Sequence, residues 1–152
     1  MKSLIKTLAL AALTLLPLTA MTAESDKPAS DKMQKVVFEV TADGPEKWLG
    51  ALRNVENAQK SIGAKSAKFE VVMHGKGLGL LLAKNVAENA ELKEKLTKLH
   101  ADGVIFAACE NTMRRDKVEK KDLIDQAITV DSGVGEVIRK QAEGYSYIKI
   151  GG

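Results

Sequence analysis

The sequence predicts a single α/β domain built around a mainly parallel sheet of roughly five strands, and three features carry that reading. Short β-rich apolar runs alternate with segments of helical period along most of the chain. The third run, "GVIFAAC" (103–109), is apolar without interruption, as a strand covered on both faces must be. No internal repeat or low-complexity stretch competes with this picture. Consecutive parallel strands then require crossover connections, which are right-handed in nearly all folds.

Taken in order, "KVVFEV" (35–40) is the first strand, and "TADGPEKW" turns the chain into a helix with Pro45 at its first position. Trp48, Leu52, Val55 and Ile62 fall on one face of that helix, and Gly63 ends it. "AKFEVVMHG" (67–75) is the second strand. A long helical region follows, with Leu78, Leu81, Leu82 and Val86 before an interruption near Asn89, and Leu92, Leu96 and Leu99 after it. His100 sits at that helix's end, where the dipole favours it. After the third strand, "ENTMRR" can open a helix. "VEKKDLIDQA" also reads as helical, and "ITVD" is a very short strand. Ser132 is placed to cap a helix whose Val134, Val137 and Ile138 face the core, and Gly144 stops it before the fifth strand, "YSYIKI".

Ahead of this domain the chain has the form of an export signal. Lys2 and Lys6 precede an apolar stretch from Thr7 to Leu18 and small residues at Ala20 to Ala23. The stretch is shorter than the ~20 residues a spanning helix needs and runs directly into polar sequence, so it implies secretion without a membrane anchor. The expected organisation is a signal peptide at 1–23, a flexible leader at 24–34 and the α/β domain at 35–152. Residues 1–23 hold two of the 23 basic residues and none of the 20 acidic ones, so the formal charge drops from +3 to +1 without them. A charge so close to balance argues against a nucleic-acid partner.

Chemistry in open parallel sheets collects beyond the C-terminal ends of the strands. Two residues stand there: His74 after the second strand and Cys109 after the third. If those strands are neighbours, imidazole and thiol share one edge. Cys109 is the only cysteine, which rules out an internal disulfide and a C-x-x-C redox pair. An intermolecular disulfide, a metal ligand or a carrier sulfur remain. It has two readings on spacing alone: a small buried hydrophobe, inert as such thiols are, or a thiolate stabilised by a helix N-terminus with Arg114 and Arg115 following. Glu110 opposes the second. "HGKGLG" (74–79) lacks the third glycine of a dinucleotide fingerprint and the lysine–serine ending of a phosphate loop. It reads mainly as a tight turn, from which Lys76 and free amides could hold a small anion. Met73, His74, Cys109 and Met113 can be drawn as a soft copper site, but successive strand residues point to opposite faces. No metal and no cofactor are expected.

"GVIFAACENTMRR" followed by "VDSGVGEVIRKQAEGYSYIK" resembles the DsrE/DsrF-like family, whose smaller members share a cysteine after the third strand and a closing segment of this type. "FEVVMHGKGLGLLL" is similar to the family's second strand and turn. The resemblance runs from about Val36 to Lys149. It implies a three-layer α/β/α sandwich that assembles as a homotrimer or homohexamer, and sulfane sulfur carried as a persulfide on the residue matching Cys109. In that role Cys109 is the nucleophile and carrier, His74 handles or orients a proton, and Arg114, Arg115, Asn111 and Lys76 stabilise the anion. A Gram-negative periplasm suits the family and the signal together, with the sulfur donor and acceptor unspecified. The alternatives are a non-catalytic periplasmic subunit binding a small ligand or copper, and a structural oligomer with Trp48, Tyr145 or Tyr147 at a subunit contact.

Overall fold

The computed structural model describes residues 33–151; the expected signal peptide and the expected leader up to residue 32 lie outside the described residues. Five strands, β1 (Gln34–Val40), β2 (Ala67–Met73), β3 (Ile105–Cys109), β4 (Ala127–Val130) and β5 (Ser146–Ile150), form one sheet in the order β4-β3-β2-β1-β5. Every pairing is parallel. Helices cover both faces, so the α/β architecture with a central parallel sheet is the one observed.

The two faces are filled unequally. On one, Val36, Phe38 and Val40 of β1, Phe69, Val71 and Met73 of β2, and Phe106 and Ala108 of β3 meet α1 (Pro45–Ile62) and α3 (Ala90–Ala101). Trp48, Leu52 and Val55 supply the α1 side, and Leu92, Leu96 and Leu99 the α3 side. Pro45 stands at the start of α1 and Gly63 closes it at φ 99°, a left-handed conformation suited to glycine. Trp48 is a core residue here, its indole donating to the Ala42 carbonyl at 2.8 Å. The other face carries the alternate residues Val37, Val72 and Ala107, packed by Val137 of α5 (Gly133–Ala142). Ser132 caps α5 by accepting from the Gly135 amide at 3.2 Å.

Three expectations are corrected. Residues 75–81 form a 3-10 segment rather than the first turns of an α-helix, and only then does the short α2 (Ala83–Ala87) begin. The reason is close approach: a β-carbon on Gly77 would lie 2.0 Å from the Val40 carbonyl oxygen, and one on Gly79 would lie 2.3 Å from the Trp48 ring. The glycine-rich turn is thus pressed onto the end of β1 and onto α1. Second, "VEKKDLIDQA" is helical only as a 3-10 turn at Lys120–Asp122. Leu123 makes an antiparallel bridge to Leu82, and the Ile124 amide donates to Leu81 at 2.9 Å, so backbone pairing displaces the helix. Third, of the α5 residues expected in the core only Val137 is buried; Val134 and Ile138 are 54% and 61% exposed. Among the described residues, no helix is long and apolar enough to cross a membrane.

Candidate functional site

β2 and β3 are neighbours, and Met73 pairs with Ala108. His74 and Cys109, each one residue further, therefore leave the sheet side by side at its C-terminal edge. Both belong to the α5 face, opposite to Met73, whose side chain lies in the main core. Gly133, the first residue of α5, sits over the pair: a β-carbon there would be 3.0 Å from His74 Cβ and 3.2 Å from Cys109 Cβ. The two side chains leave little room there for anything larger than glycine.

Cys109 ends β3 and directly precedes α4 (Glu110–Asp116). It is 4% exposed. Burial pushes the thiol pKa up, but the nearby amides of Thr112, Gly133 and Asn111 and the Thr112 hydroxyl favour the anion more strongly, and the net direction is down. The Thr112 hydroxyl oxygen in turn accepts from the Gly75 amide at 3.0 Å, which ties the turn after β2 to the sulfur's surroundings. Donors thus converge from two separate elements, the start of α4 and the start of α5.

The imidazole is held from its other side. His74 Nε2 lies 2.5 Å from Glu39 Oε1, and the Tyr147 hydroxyl donates to Glu39 Oε2. Glu39 is 8% exposed, and burial raises its pKa; the bonds from Tyr147 and His74, with the charges of His74 and Lys149, more than offset this and hold it ionised. The Tyr147 phenol, donating to a carboxylate, is pushed up to about 12. Thiol, imidazole, carboxylate and phenol form a row across four adjacent strands, β3, β2, β1 and β5.

The remaining sequence candidates are distributed unevenly. Asn111 contributes its backbone to the sulfur, while its side chain accepts from Arg114. Arg114 itself turns outward to Glu110, 3.6 Å away. Arg115 is paired with Asp116 at 2.7 Å and is the arginine that feels the Cys109 charge. Lys76 lines a cleft of about 300 Å³ together with Asp43, Lys84 and Asp116, and its field acts on Asp116. The copper set is not assembled: Met73 and Met113 share the main core, across the sheet from His74.

The DsrE/DsrF-like family model matches residues 34–150. This chain belongs to that family. DsrE/DsrF-like proteins are generally related to sulfur relay. The family fold is seen in a protein of unknown function, MTH1491 from Methanobacterium thermoautotrophicum, which is 32% identical, with a TM-score of 0.67 over 76% of this chain and 98% of that one. It is seen again in the ychN protein from E. coli, 16% identical, with a TM-score of 0.64 over 77% of this chain and 99% of that one. No curated protein matches this chain.

Within this DsrE/DsrF-like chain, sequence reasoning missed Glu39, Thr112, Gly133 and Tyr147. Glu39 did leave a signal: a carboxylate inside the apolar run "KVVFEV" must be paired if the strand is buried. Gly133 left none, since its role comes from what packs beneath it.

Proposed function

We propose that this protein is an exported sulfane-sulfur carrier or sulfurtransferase that holds sulfur as a persulfide on Cys109. The observation that carries this reading is the position of the Cys109 sulfur at the sheet's C-terminal edge, between the starts of α4 and α5, where nearby amides and the Thr112 hydroxyl favour thiolate although the residue is buried. A persulfide anion makes the same demand on its surroundings. The thiolate attacks the outer sulfur of a persulfide or polysulfide donor, a new S–S bond forms as the donor's breaks, and the donor's remaining sulfur leaves with the electron pair of the broken bond. The transferred sulfur keeps its oxidation level, so no further oxidant enters. An acceptor thiolate reverses the step.

Export rests on the signal pattern at 1–23 and points to the periplasm. Self-association, as the resemblance implies, would cover apolar surface that a monomer leaves in water: Val134 and Ile138 of α5, with Ile128 beside them on the same sheet face. Intact-protein mass spectrometry after incubation with polysulfide tests the central reading. The expected result is one added sulfur that reductant removes, absent from Cys109→Ser. A reductant-resistant gain, the mark of sulfinic acid, or equal loading of the variant refutes it.

A further inference from the structure

The row of side chains beyond Cys109 is not explained by folding alone. A carboxylate placed in a strand interior loses hydration, and apolar replacements are at least as good for stability. Yet Glu39 is buried between two partners that use both its oxygens: His74 Nε2 at 2.5 Å on Oε1 and the Tyr147 phenol on Oε2. Tyr147 belongs to the edge strand β5, where most side chains face water, but its hydroxyl turns inward to the carboxylate. Imidazole, carboxylate and phenol are thereby fixed by one another. His74 leaves β2 next to where Cys109 ends β3, with Gly133 lying over the β-carbons of both.

We propose that Glu39, braced by Tyr147, is a positioning residue that orients the His74 imidazole, so that His74 moves the proton of the sulfur-transfer step at Cys109. The inference rests on the persulfide reading of Cys109. His74 takes the proton as the Cys109 thiol becomes thiolate. The thiolate attacks the sulfane sulfur of a persulfide or polysulfide, one S–S bond forms and one breaks, and the leaving sulfur receives the proton from His74. Glu39 stays ionised throughout; its charge compensates the imidazolium that exists between the two transfers. The charged and titratable groups facing this row are Tyr147 and Lys149 of β5 on the Glu39 side and Arg115 of α4 on the Cys109 side.

The experiment is a mutant cycle on the mature protein, with inorganic polysulfide as donor, intact mass as the readout of loading rate against pH, and iodoacetamide alkylation of Cys109 run in parallel. Glu39→Gln, which keeps shape and a hydrogen bond but removes the charge, is expected to slow loading about 10–100-fold through its maximal rate rather than through donor concentration dependence. In a His74→Ala background the same substitution is expected to add less than about twofold, because its effect passes through the imidazole. Tyr147→Phe, at an edge strand where folding is least at risk, should give a smaller slowing of the same kind. Full additivity of Glu39→Gln and His74→Ala, or wild-type loading in both Glu39→Gln and Tyr147→Phe, overturns the proposal. Absence of loading in the wild type is a failure of the persulfide reading instead. In that case the alkylation profile decides, since a Glu39→Gln effect that vanishes without His74 still shows the coupling.

Discussion

Gly133→Ala places a methyl group where the structure leaves no room for one. The new β-carbon would sit 3.0 Å from His74 Cβ and 3.2 Å from both Cys109 Cβ and His74 Cδ2. Two of those atoms are anchored directly to β2 and β3, the rigid interior of the sheet, so the element that yields is the start of α5. A few tenths of an ångström of displacement costs about 1–3 kcal/mol of overpacking. It exceeds the gain of up to ~1 kcal/mol that alanine brings in a helix, a gain that is smaller at a first position. The protein should therefore fold and lose modest stability.

The thiol should respond more specifically. The Gly133 amide is one of the donors that lower the Cys109 pKa, and a hydrogen bond to a charged group contributes about 1.5–3 kcal/mol. Halving it raises the thiol pKa by about 0.5–1 unit, at ~1.36 kcal/mol per unit. Below the pKa, the thiolate fraction and the alkylation rate then fall roughly 3–10-fold. The assay is the iodoacetamide rate at Cys109 between about pH 5 and 10, beside a thermal melt. An unshifted profile in a folded Gly133→Ala protein would refute the claim that α5 helps hold the sulfur anion.

Two further outcomes follow from positions away from the sulfur. Gly50 lies inside α1 with only the Arg53 guanidinium near, at 4.0 Å, so Gly50→Ala should stabilise by about 0.5–1 kcal/mol and raise the melting temperature by roughly 2–5 °C, leaving the Cys109 alkylation profile unchanged. Lys140→Met removes the ammonium 3.2 Å from Glu70, whose side chain is 2% exposed and whose carboxyl burial already pushes above its ordinary value. The expected loss is about 3 kcal/mol by denaturant titration. It should be greater at pH 8 than at pH 5. A carboxyl with a raised folded-state pKa contributes stability below its unfolded value and loses it as pH rises through the folded one, and without Lys140 that folded value climbs further. Glu136, which also faces Lys140, acts in the same direction.

The elements legible in the sequence are those whose pattern is set by their own burial. Val36 to Val40, Phe69 to Met73 and Phe106 to Cys109 are apolar except at Glu39 and Glu70 because both sheet faces are covered where they run, and that composition is visible residue by residue. The start and end of α1 were legible for a local reason as well, since Pro45 and Gly63 restrict their own backbone. So was the strand-end position of His74 and Cys109. Segments settled by distant partners were not legible. Residues 75–81 tighten into a 3-10 turn because Gly77 and Gly79 meet Val40 and Trp48, and Leu123 leaves a helical pattern to pair with Leu82.

For the site, the sequence determined which thiol exists and on which edge of the sheet it stands. Only the tertiary structure decided its surroundings. Strand order puts β1 and β5 beyond β2, so Glu39 and Tyr147, 108 positions apart, reach the same imidazole-bearing row. The return of α5 over that face brings the Gly133 amide to the sulfur. Hydrophobic periodicity reports whether a residue is buried, and it carries no record of which polar groups a fold brings into contact at such separations; those contacts are set by the packing of strands and helices against one another.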